Sequence, residues 1–181
     1  MTAHLAIIAL LALAACAPQP SSNNVVANEA LVAVEPPLPG TNQGLPDDRT
    51  PISEAAFTPD SAQGAANVVQ TYFALLEERR YAEARGLWGD SGAGAEDFAD
   101  AFSAYAQYHA QIGAPGEIEG AAGSLYVEVP VAIYGRRTNG QEFRQRGAIT
   151  LRRVNDVPGA TEAQLRWHIE RSSVEPRIRP E

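Results

Sequence analysis

The stretch from Leu125 to Tyr134 constrains the fold most, because Leu125, Val127, Val129, Val131 and Ile133 alternate with Tyr126, Glu128, Pro130, Ala132 and Tyr134. A period of two with one apolar side describes a half-buried β-strand whose buried side needs a cover. Its partner, Glu142 to Val154, must bring Phe143, Ile149 and Leu151 to the same side. A two-residue Asn139-Gly140 turn would pair odd with even positions and set Ile133 opposite Arg146. A three-residue loop, Thr138-Asn139-Gly140 with Gly140 left-handed, pairs Val129 with Ile149 and Val127 with Leu151. It also sets Arg136 opposite Glu142, Tyr134 opposite Arg144 and Tyr126 opposite Arg152, all favourable cross-strand pairs. Pro130 argues against full pairing on both sides of this strand. A shorter strand is expected within Gly116 to Ala121, and a last one carrying Leu165, Trp167 and Ile169 after a long loop.

Ahead of the strands the apolar period is helical. Asp60 as N-cap with Gln63 three residues on forms a capping box, followed by Ala66, Val69, Tyr72, Phe73 and Leu76 on one stripe. This predicts a helix to about Arg80, with Tyr81, Ala84 and Trp88 continuing as a second, shorter helix or a bent extension. The glycines from Gly89 to Gly94 break the pattern. Glu96 and Asp97 suit the first turn of a further helix, where the helix dipole favours acids, and Phe98, Phe102 and Tyr105 define its buried face. The period of two is expected to begin after Gly113. Helices followed by a curled antiparallel sheet of about four strands make an α+β layout: two or three N-terminal helices packed on the sheet.

The N-terminus supplies an address. The apolar run Leu5 to Ala15 is too short for the ~20 residues that span a bilayer as a helix. It ends in Leu13-Ala14-Ala15-Cys16, which resembles the lipobox of bacterial lipoproteins, although no Lys or Arg precedes it. The resemblance implies a signal peptide over 1–15, a diacylglyceryl group on the Cys16 sulfur and an acylated new N-terminus. Two or more acyl chains anchor stably where one is marginal. Ala17 in place of Asp resembles the outer-membrane-sorted class of Gram-negative lipoproteins, which implies an outer-membrane anchor facing the periplasm. From Ala17 to Pro59 eight prolines punctuate a chain without periodicity, which reads as a disordered tether. As a flexible chain it would reach roughly 35 to 40 Å. The organisation expected is thus signal peptide 1–15, lipidated tether 16–59, folded domain 60–176 and tail 177–181.

Cys16 is the only cysteine, so no disulfide supports the domain and stability rests on its core. The net charge of −8 argues against nucleic acid as a partner, which would need a basic surface. Its distribution is uneven: residues 1–120 carry four Arg against fifteen acids, and residues 121–181 ten Arg against seven. With only His109 and His168 beyond the signal peptide, no zinc-ligand spacing exists. Gly89-Asp90-Ser91-Gly92 matches the string around a chymotrypsin-like nucleophile but has no upstream histidine except His4. The same stretch follows a helix and carries no lysine, unlike a phosphate loop. No metal and no cofactor is expected.

The element order, the run Tyr81-Ala82-Glu83-Ala84-Arg85-Gly86-Leu87-Trp88 after the first helix and the closing Leu165-Arg166-Trp167-His168-Ile169 resemble the nuclear transport factor two-like superfamily, also called the cystatin-like cone, over residues 61–174. That superfamily includes ketosteroid isomerases, scytalone dehydratase and polyketide cyclases beside many noncatalytic binding or assembly domains, so the fold does not choose the function. An enzyme of this kind would use the cone cavity, where Tyr72, Tyr105 and His109 are the candidate catalytic residues and Trp167 a wall. If the third helix reaches residue 109, His109 joins the face of Phe98, Phe102 and Tyr105 and can serve as a general base. Asp97 and Asp100 point away from that face, and the aspartate of the isomerases has no counterpart. The reading preferred is a noncatalytic module using the outer sheet face, where Tyr126, Tyr134, Arg144, Arg146, Arg152, Arg166 and His168 interleave rings and guanidinium groups. Such a face suits an acidic envelope protein, a carboxylate-bearing polymer or a second copy of the chain.

Overall fold

The computed structural model describes residues 33–47, 58–89 and 95–177. Cys16, the segment 1–15 expected to be a signal peptide and residues 90–94 lie outside the described residues.

Three helices come first: α1 (Ala62–Glu77), α2 (Tyr81–Gly86) and α3 (Ala95–Phe102). Ser61, one residue past the expected cap, accepts the Gly64 amide on its hydroxyl at 3.1 Å, while Asp60 turns towards Arg153. α1 stops at Glu77 in a Schellman arrangement. The amides of Arg80 and Arg79 donate to the carbonyls of Leu75 and Leu76, with Arg79 itself left-handed at φ 59°. A non-glycine residue in that position gives the sequence no stop signal. The Arg79 guanidinium then donates to the Ala106 carbonyl at 3.1 Å.

Five antiparallel strands follow: β1 (Tyr105–Ile112), β2 (Glu119–Ala121), β3 (Ser124–Arg137), β4 (Glu142–Val154) and β5 (His168–Ser172). The order is β1-β3-β4-β5, with β2 also paired to β3. The β3–β4 register sets Val129 opposite Ile149, Val127 opposite Leu151, Arg136 opposite Glu142, Tyr134 opposite Arg144 and Tyr126 opposite Arg152, all as the turn chemistry requires. Gly140 takes φ 85° in the three-residue loop. β3 is central despite Pro130. Its carbonyl accepts from Gly113 at 2.8 Å, so its missing N–H faces the side where β1 has already ended.

Further sequence expectations fail for identifiable reasons. The period of two begins at Tyr105, and α3 does not extend to His109. In β1, Tyr105 faces Arg137 and Gln107 faces Arg136, so Ala106 is a bulge. That extra residue lets Tyr105 and Tyr108 both point inward, a spacing of three that imitates a helix. Leu165 and Trp167 do not belong to the last strand, because Thr161 and Gln164 cap a helical turn reciprocally, amide to side chain at 2.9 and 3.3 Å. Residues 33–47, assigned by composition to the tether, pack on the outer side of the sheet. Val34 and Pro37 are buried, the Glu35 carbonyl accepts from Arg144 at 3.2 Å, and Leu45 lies against Gly113.

The core lies between the helices and the inner sheet side. α1 contributes Ala65, Ala66, Val69, Tyr72, Phe73 and Leu76; the sheet contributes Val127, Val129, Val131, Ile133, Ile149, Leu151 and Ile169. The chain after α2 closes the β5 edge, since the Ile169 amide donates to Leu87 at 2.8 Å and the Gly89 amide to Ile169 at 3.1 Å.

Candidate functional site

Three regions can be compared as sites: the interior of the cone, the outer sheet face, and a groove beside the start of α1.

Aromatic rings occupy the interior. Tyr72 meets Phe73, Trp88 and Phe98 edge-on with ring centres 5.1, 6.1 and 6.3 Å away. Phe73 stacks on Tyr108 at 6.2 Å, and Phe102 stands edge-on to Tyr108 at 5.3 Å. Tyr105 closes the far end against Phe143 at 5.0 Å, beneath the Arg137 guanidinium. Burial pushes the Tyr72 and Tyr108 hydroxyls far above the ordinary tyrosine range, so neither ionises near neutral pH. The Tyr108 hydroxyl donates instead to the Glu175 carbonyl. Trp167 is buried, with its indole N–H donating to the Ser61 carbonyl at 3.1 Å.

Of the catalytic candidates, Tyr105 and His109 line one cleft at the edge of β1, and Tyr72 does not line it. Tyr72 is enclosed between α1 and the rings, Tyr105 points inward from β1, and His109 points to the outer side of the same strand. There its ring lies 5.4 Å from that of Tyr134, and its Nδ1 is 3.0 Å from Glu77 Oε1. Sequence reasoning missed Glu77, which lies at the end of α1, thirty-two positions from its partner. The pair is half-exposed and borders a shallow cleft of about 170 Å3 between α1 and the edge of β1. An exposed pair of this kind contributes little to stability.

On the outer face, Tyr126, Tyr134, Arg144, Arg146 and Arg152 share one side of β3 and β4, with His168 of β5 opposite Arg152. Most of these groups already have partners. Arg144 reaches Glu142 at 3.4 Å as well as the Glu35 carbonyl, and Arg152 donates to the Ser124 hydroxyl at 3.1 Å. Arg146 is exposed. Arg166 is not on this face; it lies in the β4–β5 loop paired with Glu162 at 3.3 Å.

The third region was not singled out from sequence, although the register contains its signal. Ile149, Leu151 and Arg153 share the inner side of β4, so the alternation that buries the first two carries an arginine inward. The Arg153 side chain is only 9% exposed and lies 5.8 Å over the Trp167 ring. Its acid, Asp60, is 3.8 Å away and largely exposed. The Thr58 hydroxyl does most to hold the Asp60 carboxyl below its ordinary value, and Arg153 contributes least. Val68, Leu87, Leu165 and Trp167 complete a groove of about 500 Å3 above this guanidinium.

No family model and no curated protein matches the chain. Among solved structures, a nuclear transport factor 2 (NTF2-like) superfamily protein from Salmonella enterica serovar Typhimurium is similar at 12% identity and a TM-score of 0.43, over 60% of this chain and 84% of that one. Aln2 from a Streptomyces species is similar at 11% identity and a TM-score of 0.42, over 68% of this chain and 93% of that one.

Proposed function

We propose that this chain is a lipid-anchored protein of the outer membrane, facing the periplasm, whose folded part is a nuclear transport factor two-like cone acting as a noncatalytic binding or assembly module. The filled interior carries the second half of this reading. A cone-cavity isomerase, dehydratase or cyclase needs room for a substrate and at least two polar groups converging on it. Here rings occupy that room, Tyr72 does not line the cleft that Tyr105 and His109 share, and His109 points to the outer side of β1. The exposed chemistry lies outside the cone, where Tyr126, Tyr134, Arg144, Arg146 and Arg152 form an outer face suited to an acidic partner or a second copy.

Lipid attachment at Cys16 rests on Leu13-Ala14-Ala15-Cys16 and the short apolar run before it. With residues 33–47 packed on the domain, sixteen residues separate Cys16 from its first described residue. That length spans at most about 55 Å when fully extended, which keeps the domain near the bilayer. Detergent partitioning of acyl-labelled protein tests the anchor: wild type enters the detergent phase, while Cys16→Ser and globomycin-treated cells give unprocessed or aberrantly cleaved protein. Wild type found in the aqueous phase contradicts it. For the outer face, Arg144→Glu combined with Arg152→Glu reverses four units of charge, so envelope crosslinks or self-association through this face weaken. Unchanged crosslinks and unchanged sedimentation reduce the face to solvated surface.

A further inference from the structure

We infer that the groove between the flank of α1 and the β4–β5 loop is a binding site for a small monocarboxylate with an apolar body. Its carboxylate is held by Arg153, and its body lies against Trp167.

Arg153 is buried and poorly served by the groups around it. Arginine side chains are almost never this enclosed unless paired, because a charge removed from water must recover its solvation from nearby dipoles or ions. Among the described residues Arg153 recovers little. Nε reaches the Val154 carbonyl at 3.5 Å, Nη1 the Asp60 carbonyl at 3.5 Å, and Nη1 the Asp60 carboxylate at 3.8 Å. All three lie at or beyond the outer limit of a hydrogen bond, and no carboxylate among the described residues engages the guanidinium in the two-pronged geometry it is built for. Asp60 is exposed to water, which competes for it.

The surroundings fit an apolar acid. The Trp167 ring plane is fixed by its N–H bond to Ser61, and the guanidinium lies over it in cation–π geometry. Val68, Leu87 and Leu165 supply apolar walls, and about 500 Å3 is within the range of small-molecule sites. α1 begins here with no acidic residue in its first turn, so the positive end of its dipole is not neutralised from within the helix. Asp60 also lines the groove, and Asp156 and Arg166 at its rim carry opposite charges. Among the described residues, the only cation set into the groove wall is Arg153. A carboxylate completes its fork, and an apolar body covers the indole and the leucines. This site is separate from both the filled cone and the outer sheet face.

Binding is tested on the full chain with 2-naphthoate as probe and 2-naphthalenemethanol as its uncharged analogue, followed through the indole N–H signals of Trp167 and Trp88. The acid shifts Trp167 saturably and leaves Trp88 unchanged, and the alcohol binds at least about tenfold more weakly, the worth of a charge-assisted hydrogen bond. Arg153→Lys, which keeps the charge but loses the fork, weakens the acid by a similar factor. Because a change at Arg153 can cost folding, Val68→Trp supplies the second arm: it fills the groove without touching Arg153 and abolishes the shift in a protein with wild-type circular dichroism. No saturable shift up to about 1 mM acid, equal affinity for the alcohol, or undiminished binding by folded Val68→Trp overturns the proposal.

Discussion

Tyr105 and Tyr108 lie three residues apart on one β-strand yet point to the same side, their rings 5.1 Å apart and nearly perpendicular. The bulge at Ala106 makes this possible, since regular alternation would place them on opposite faces. Substitutions along β1 therefore follow the bulge. Tyr105→Ala and Tyr108→Ala each cost about 3–5 kcal/mol in denaturant unfolding, as large buried truncations do. His109→Ala, on the outer side, stays within about 0.5 kcal/mol. A helix continuing through this segment would instead bury His109 together with Tyr105 and Tyr108, so that His109→Ala would be costly too.

Two glycines of the β3–β4 hairpin set backbone strain alone beside strain joined to collision. At Gly140, φ is 85° and an added Cβ meets nothing within 4 Å, so Gly140→Ala costs only the left-handed penalty of about 1–2 kcal/mol. At Gly135, opposite Tyr108 and Phe143, an added Cβ would lie 2.1 Å from the Gln107 carbonyl oxygen. Gly135→Ala must push β1 away from β3, so it abolishes or severely weakens the thermal transition while Gly140→Ala only shifts it.

The hairpin was legible because two independent constraints, face alternation and turn chemistry, gave the same register from Ser124 to Val154. The start of β1 was not. Phe98, Phe102, Tyr105 and His109 keep helical spacing across a helix end and a bulge, and local pattern alone cannot divide them. Residues 33–47 read as solvated because of their prolines; Val34 and Pro37 are buried only because the sheet presents a complementary outer surface. In the candidate groove, the inward parity of Arg153 follows from the register, but its weak pairing depends on where Thr58 and Asp60 fall in space.

The segment 33–47 is held by its own contacts, separately from the inner core. Val34→Asp places a charge at a buried position of that segment, so amide exchange across 33–47 rises to unprotected rates. Exchange in β3 and β4, whose stability derives from the other side of the sheet, changes little. Equal loss of protection in β3 would mean that the segment is part of the folding core.

Alkaline stability has a definite sign. Tyr72 and Tyr108 have folded pKa values raised far above 10, chiefly by burial, while in the unfolded chain both ionise near 10. Above pH 10 the unfolded state therefore binds fewer protons than the native state, and stability falls as pH rises. The slope is up to about 1.4 kcal/mol per pH unit for each tyrosine. Urea unfolding between pH 8 and 12, read with tyrosinate absorbance, shows this decline, and Tyr108→Phe reduces its slope by removing one titrating group.

The most direct test of the account is where a small apolar probe enters the molecule. Methyl spectra of the full chain under xenon pressure report both the interior of the cone and its surroundings. A filled cone predicts that Val129, Ile133 and Ile149 remain unshifted while Val68 and Leu165 in the groove respond. Saturable shifts at Val129, Ile133 and Ile149 would reveal an open cavity beneath the sheet and return Tyr72 and Tyr105 to consideration as catalytic groups.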